Sequence, residues 1–409
     1  MLRQAKPLRF EEQEVTHDAL LQEIVAIPQY TATVSDEIQQ YVSRQPFRAL
    51  RVVFFLDEGE EGKEENQNQI EVNVALFQDQ VRPFLRKWMP LLARWFGLVG
   101  NGGCSSSSSS SSSLMRRKVY LVLTPHKKTT IGDEPLTSRH VNSAYAFVCS
   151  TVMLVYRKEE WFKVLLHESY HLFGLDWASK QKEEDDLQWA VKRVFPVLQE
   201  VDALSLYETY TEWWAEIWYV LFWQYTRPDR SIHWAIAEQR RFAVSQCKVA
   251  LAQQGYTYDS FLEVEPGGSE YKGSEYKEST PVFAYHVSKT LAMIFFNEWL
   301  SFVWSLGQGY SRDKGRGLIQ GYSRDKGQGE SRGLIQGESR GLSQGGPFLS
   351  QSQIQGSAIT KGFVAFVESK ARDPISTQLL RERRTTRKRK PTKRGKSMRM
   401  LSGHRAMQI

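Results

Sequence analysis

The sequence predicts an α+β fold, and three observations carry the prediction. Short β-branched and aromatic blocks crowd the chain before Arg157. Helical periodicity dominates from Arg157 to about Trp223 and again from Pro281 to Trp304, and low-complexity stretches interrupt both halves. Length bounds the rest: 409 residues with 41% hydrophobic and 12% aromatic content can bury one large core or two.

Taken in order, "RVVFFL" (51–56) and "IEVNVALF" (70–77) have the composition of strands and flank an acidic, loop-like stretch. In "VRPFLRKWMPLLARWF", Val81, Phe84, Leu85, Trp88, Leu92, Trp95 and Phe96 fall at helical spacing, with a kink expected at Pro90. The serine run from Ser105 to Ser113 offers nothing apolar to bury and reads as a flexible insertion. "KVYLVLT" (118–124) and "STVMLVY" (150–156) supply two more strands.

The last third is different material. "GYSRDKG" occurs at Gly309 and again at Gly321, followed by shortened copies, and "SEYKGSEYKE" (269–278) is a smaller duplication. A copy offers at most a Leu and an Ile, too little for a stacked solenoid, so both are expected to be disordered. The implied organisation is an N-terminal extension (1–45) and one folded domain (46–304) with insertions at 101–114 and 266–279. A Gly/Ser/Arg-rich linker (305–357), a short C-terminal segment (358–380) and a disordered basic tail (381–409) follow.

Charge is concentrated at the end. From Arg381 onward twelve Lys or Arg face the single Glu382, so the tail carries +11 while the whole chain carries +8. Three readings of "RERRTTRKRKPTKRGKSMR" stay open: a nuclear import signal, a nonspecific contact with nucleic-acid phosphates, or a solubilising end. No aromatic residue interleaves the charges, which argues against base stacking. Cys104, Cys149 and Cys247 are widely spaced and odd in number, so no disulfide framework or cysteine metal site is indicated. With no apolar leader and no run long enough to span a bilayer, the expectation is a soluble, intracellular protein without a membrane partner, nuclear or virion-associated through its tail.

The chemistry centres on "LLHESYHLFGLDW" (165–177). Residues four apart on a helix lie one above the other, so His167 and His171 can present ring nitrogens to a single ion. Glu168 stands where a carboxylate can take a proton from an attacking water and pass it to a leaving amine, as in the His-Glu-x-x-His pattern of metalloproteases. Trp161, Val164, Leu165, Tyr170 and Leu172 make the surroundings apolar. The bland alternative is a core helix whose two histidines are merely hydrogen-bonded, at a cost in buried polar groups.

Three glutamates, Glu208, Glu212 and Glu216, recur every four residues in "LYETYTEWWAEIWYVLFW" (206–223). Flanking tryptophans argue that at least one has a positive partner inside. The spacing resembles the gluzincin motif, in which a ligand Glu is followed four residues later by an acid that fixes a ligand histidine. That resemblance implies Zn2+ as cofactor, Glu212 as third ligand and Glu216 as the fixing acid, with Glu208 the competitor. A metzincin-type third histidine is missing, since that position is Trp177 and Asp176 falls one residue early.

"LTPHKK", "HVNSAY", "VYRKEEWFKVLLHESYHLFGLD" and "YETYTEWWAEIW" together resemble the zinc metallopeptidase-like proteins of large nucleocytoplasmic DNA viruses, over roughly residues 51–304. The resemblance implies a zincin-like metalloprotease domain: a mixed sheet, an active-site helix and a helical C-terminal subdomain, acting on a peptide or protein substrate. "VNSAYAF" (141–147) is the candidate edge strand for pairing with that substrate. Tyr285 and His286, or Tyr207 and Tyr210, are the candidate oxyanion donors, each core packing by default. His126, His140 and His233 have no partner motif. The competing class is a catalytically lapsed zinc-binding structural or nucleic-acid-associated viral protein.

Overall fold

The computed structural model describes residues 2, 6–56, 68–100, 104, 116–130, 136–202, 204–262, 276, 280–308, 356–381 and 396–397. The serine run, most of the 266–279 insertion, the repeats and the bulk of the basic tail lie outside the described residues.

Six strands form one mixed sheet: β1 (Phe10–Gln13), β2 (Arg48–Phe55), β3 (Gln69–Leu76) and β4 (Arg116–Thr124), then β6 (Ala144–Ala146) and β7 (Val152–Arg157). The intervening β5 (Thr129–Thr130) pairs elsewhere. The spatial order is β1-β2-β3-β4-β7-β6. β3, β4 and β7 run parallel, β1 and β2 are antiparallel to their neighbours, and the short β6 closes the far edge antiparallel to β7. The four expected strand blocks coincide with β2, β3, β4 and β7.

β2, β3, β4 and β7 are apolar on both faces, so both faces need a cover. One cover comes from residues expected to be an extension. α1 (His17–Val25), α2 (Tyr30–Thr33) and α3 (Asp36–Arg44) bury Leu20, Ile24, Ile38 and Val42 against Tyr120, Val122, Leu154 and Tyr156. The other face, through Val72, Val74, Leu121 and Val155, meets α4 (Val81–Val99), an uninterrupted helix with Pro90 inside it. α5 (Ser138–Val141) leads into β6. After β7 come α6 (Trp161–Leu172), α7 (Gln181–Val194), α8 (Tyr207–Thr226), α9 (Ile232–Gln253) and α10 (Tyr258–Leu262). A π-helical turn at Phe283–Ser288 precedes α11 (Lys289–Ile294) and α12 (Phe296–Gln308).

α13 (Gly356–Ala371) and α14 (Pro374–Leu380) fall in the region of the short C-terminal segment expected at 358–380, and they pack on the main body. Ile359, Phe363, Val367 and Leu380 belong to the main core, with Phe363 and Phe366 edge-on to Trp299. Beyond them, β8 (Lys396–Ser397) pairs antiparallel with β5, so two residues of the tail expected to be disordered are fixed on the folded body. Among the described residues, no helix is long and apolar enough to cross a membrane.

Cysteine usage also departs from expectation. Cys104, just after α4, and Cys149, in the turn before β7, form a disulfide, while Cys247 is buried and free. Sequence spacing says nothing about this proximity, which arises because both residues meet at Gly174.

Candidate metal centre

α6 is buried along all twelve of its residues, wedged between the sheet and α8. A helix this enclosed is apolar nearly all round, so polar groups on it need partners. His167 and His171 stand one turn apart with ring centroids 5.2 Å from each other. The first turn of α8 brings Glu208 to them: its Oε2 lies 3.0 Å from His167 Nε2 and 3.6 Å from His171 Nε2. That oxygen is buried without an aligned hydrogen bond, so two nitrogens and one oxygen face a common point. Their ligand atoms all lie within 4.8 Å of one another, and the group could hold a metal ion.

The outward nitrogens are anchored. His167 Nδ1 is 3.0 Å from Glu212 Oε2, and His171 Nδ1 is 2.5 Å from Asp176 Oδ2. Carboxylates on Nδ1 fix each ring and turn Nε2 inward, the arrangement that histidine ligands require. Both oxygens of Glu212 also accept from the Lys163 ammonium, one turn before His167 on the same helix.

The register of the expected ligands is therefore off by one helical turn. Glu208 occupies the ligand position assigned to Glu212, and Glu212 makes the ring-fixing contact assigned to Glu216. Glu216 reaches neither histidine; its Oε1 is 2.6 Å from Lys289 Nζ, both fully enclosed. All three glutamates lie on one face of α8, and only the axial offset between α6 and α8 selects among them.

Electrostatics follow from this packing. Burial works against the protonated rings, but Glu208 and Glu212 outweigh it at His167, and Glu208 and Asp176 outweigh it at His171, so both are raised, His171 strongly. Burial also opposes the Glu208 carboxylate, yet the two rings hold it at about 2. The same balance, with Lys163 the strongest attraction, keeps Glu212 below the usual carboxylate range. A divalent cation at this point would compete with the protons that the neighbouring carboxylates favour on the two rings. Glu168 is raised, chiefly by burial, and accepts a hydrogen bond from the Ala146 backbone on edge strand β6.

His167 and Glu168 line a cleft with Lys128, Lys163, Ser143 and Tyr285. Tyr285 is brought in by the π-helical turn, its ring 5.9 Å from that of His167, whereas Tyr207 flanks His171 at the same distance. His286 does not reach the cleft. It is fully buried, neither ring nitrogen has a hydrogen-bond partner, and burial, reinforced by Lys289, pushes it down to about 3. Tyr210 packs in the core against Tyr170 and Trp177.

No family model, curated protein or solved structure matches the chain. Two imidazoles and one carboxylate are donors that a divalent metal ion accepts.

Three contributors were missed in the sequence. Lys163 carried a signal, a lone cation on an apolar helix four residues before His167. Asp176 was noticed only as a misplaced ligand. Lys128, in "HKKTT", carried none.

Proposed function

We propose that this protein is a zinc-dependent metallopeptidase with a zincin-like, gluzincin-type site, in line with its resemblance to the viral metallopeptidase-like proteins. The observation that carries the reading is the convergence of His167, His171 and Glu208 with Glu168 on the adjoining cleft wall. An edge strand antiparallel to its neighbour, next to the histidine helix, supports it as a place for an extended peptide to pair.

When bound, zinc supplies a Lewis acid that polarises water and a substrate carbonyl. Glu168 takes the water's proton as its oxygen attacks the peptide carbon, then delivers that proton to the leaving amine. Burial has raised its proton affinity, which suits a group that must both accept and release. Tyr285 stays protonated, since burial and the surrounding carboxylates push its phenol well above the usual range, and it donates to the developing oxyanion. Glu212 and Asp176 hold the rings.

The test is bound zinc by elemental analysis, followed by cleavage of a peptide library. Wild type should carry one ion per chain, lost in His167→Ala/His171→Ala and in Glu208→Gln. Glu168→Gln should keep the ion and lose turnover. A folded wild type that stays metal-free with zinc supplied overturns the proposal.

A further inference from the structure

The cleft beside Glu168 holds two groups that the peptidase chemistry leaves unused. Lys128 lies between β4 and β5, anchored by its backbone N–H, which donates to Glu159 Oε2 at 2.7 Å. The residue is 2% exposed, and among the described residues its ammonium has one contact, Glu160 Oε2 at 3.4 Å. Glu160 is itself shared, because it has further interactions. Lys163, the other cation on this wall, is occupied by both oxygens of Glu212.

Across the same cleft, Ser143 precedes edge strand β6. It is 3% exposed, and its hydroxyl has no hydrogen-bond partner among the described residues. An ammonium has three donors to satisfy, and a buried hydroxyl without a partner is costly to keep. The space they border is about 50 Å³, room for a carboxylate or a few waters.

We propose that Lys128 and Ser143 form a carboxylate-binding subsite, making the protein selective for peptides that place an acidic group beside the scissile bond. This deepens the peptidase reading, on which the term substrate rests. The carboxylate can come from an Asp or Glu side chain or from a free C-terminus. Both present two oxygens to a charged donor and a neutral one. The local balance favours an incoming anion: burial lowers the Lys128 ammonium, Lys163 and Arg157 repel it, and Glu160 and Glu212 only partly compensate.

The test uses the zinc-loaded full chain and peptides matched in pairs, Glu against Gln at one position and free against amidated C-terminus. Wild type should favour the acidic member at least tenfold in kcat/KM, the size of one charge-assisted hydrogen bond. If the Glu/Gln pair carries the preference, the carboxylate is a side chain; if the free/amidated pair does, it is terminal. Lys128→Met should abolish the preference, and Ser143→Ala should reduce it without disturbing the buried charge. Calorimetric titration with the α-methylamides of N-acetylglutamate and N-acetylglutamine, and with N-acetylalanine against N-acetylalaninamide, supplies a readout independent of turnover. Binding of the acid alone, lost in Lys128→Met, without cleavage of any peptide would keep the subsite and sink the peptidase reading. Equal treatment of acid and amide by wild type, or a preference that survives both substitutions, overturns the subsite.

Discussion

Replacing Glu212 by Gln should destabilise the chain far more than the loss of an ordinary carboxylate. Lys163 and Glu212 are 2% and 1% exposed, and both oxygens face one ammonium. Removing one partner strands the other in a medium that cannot solvate it, at a cost of about 3–5 kcal/mol. Lys163→Met strands the carboxylate instead, with only His167 Nδ1, at 3.0 Å, left to meet it. The double variant removes both charges and leaves a polar amide beside a methionine of similar length, so it should recover much of the loss. The expected coupling is about 2–3 kcal/mol in favour of the pair. Urea unfolding followed by tryptophan fluorescence, in chelator so that the chain alone is measured, reads all four corners of the cycle. Single substitutions costing under about 1 kcal/mol, or effects that simply add, would refute the reasoning and mean that the pair is solvated.

Three further outcomes follow. Asp176→Asn leaves His171 Nδ1 without a charged acceptor, so zinc affinity by competition with a chromogenic chelator should fall about 10–100-fold with little change in secondary structure. Cys149→Ala opens a loop spanning 45 residues, which should lower unfolding free energy in oxidised samples by about 4 kcal/mol and abolish the difference between oxidised and reduced samples. Glu184 accepts from Trp177 Nε1 at 3.2 Å and from the Leu206 amide, and burial raises it from 4.5 to about 7. A raised acid contributes stability that is full below pH 4.5 and lost as pH climbs through 7. Wild type should therefore lose on the order of 3 kcal/mol across that window relative to Glu184→Gln, measured by urea midpoints at each pH.

The parts of this molecule legible in the sequence are those with local periodicity. β2, β3, β4 and β7 announced themselves by Val, Ile and Phe, and His167, Glu168 and His171 by spacing on one helix. What failed was what depends on long-range offset. Glu208, Glu212 and Glu216 are equivalent from within α8, and the choice between them is made by how far α8 slides along α6. Residues 10–44 looked detachable because β1 is polar and α1 to α3 are short. Strands apolar on both faces nonetheless demanded a second cover, and that signal was present in "RVVFFL" and "YLVLT". Lys128 reaches the cleft from between β4 and β5, and nothing in "HKKTT" marks one lysine as buried and the other as not.

The Cys104–Cys149 bond, seated where a Cβ on Gly174 would approach both sulphurs to 2.8 Å, bears on how this gene product can vary in length. The bond ties the two ends of the segment that carries the serine run to the C-terminal end of the histidine helix, with the Cys149 amide donating to the His171 carbonyl at 2.9 Å. Within such a staple, doubling the enclosed chain adds only about 0.6 kcal/mol of closure entropy. The enclosed segment can therefore be lengthened or shortened by several serines at little cost while His171 keeps its place. A backbone cut between residues 104 and 149 would likewise release no fragment: the nicked protein would migrate as one species until a thiol is added.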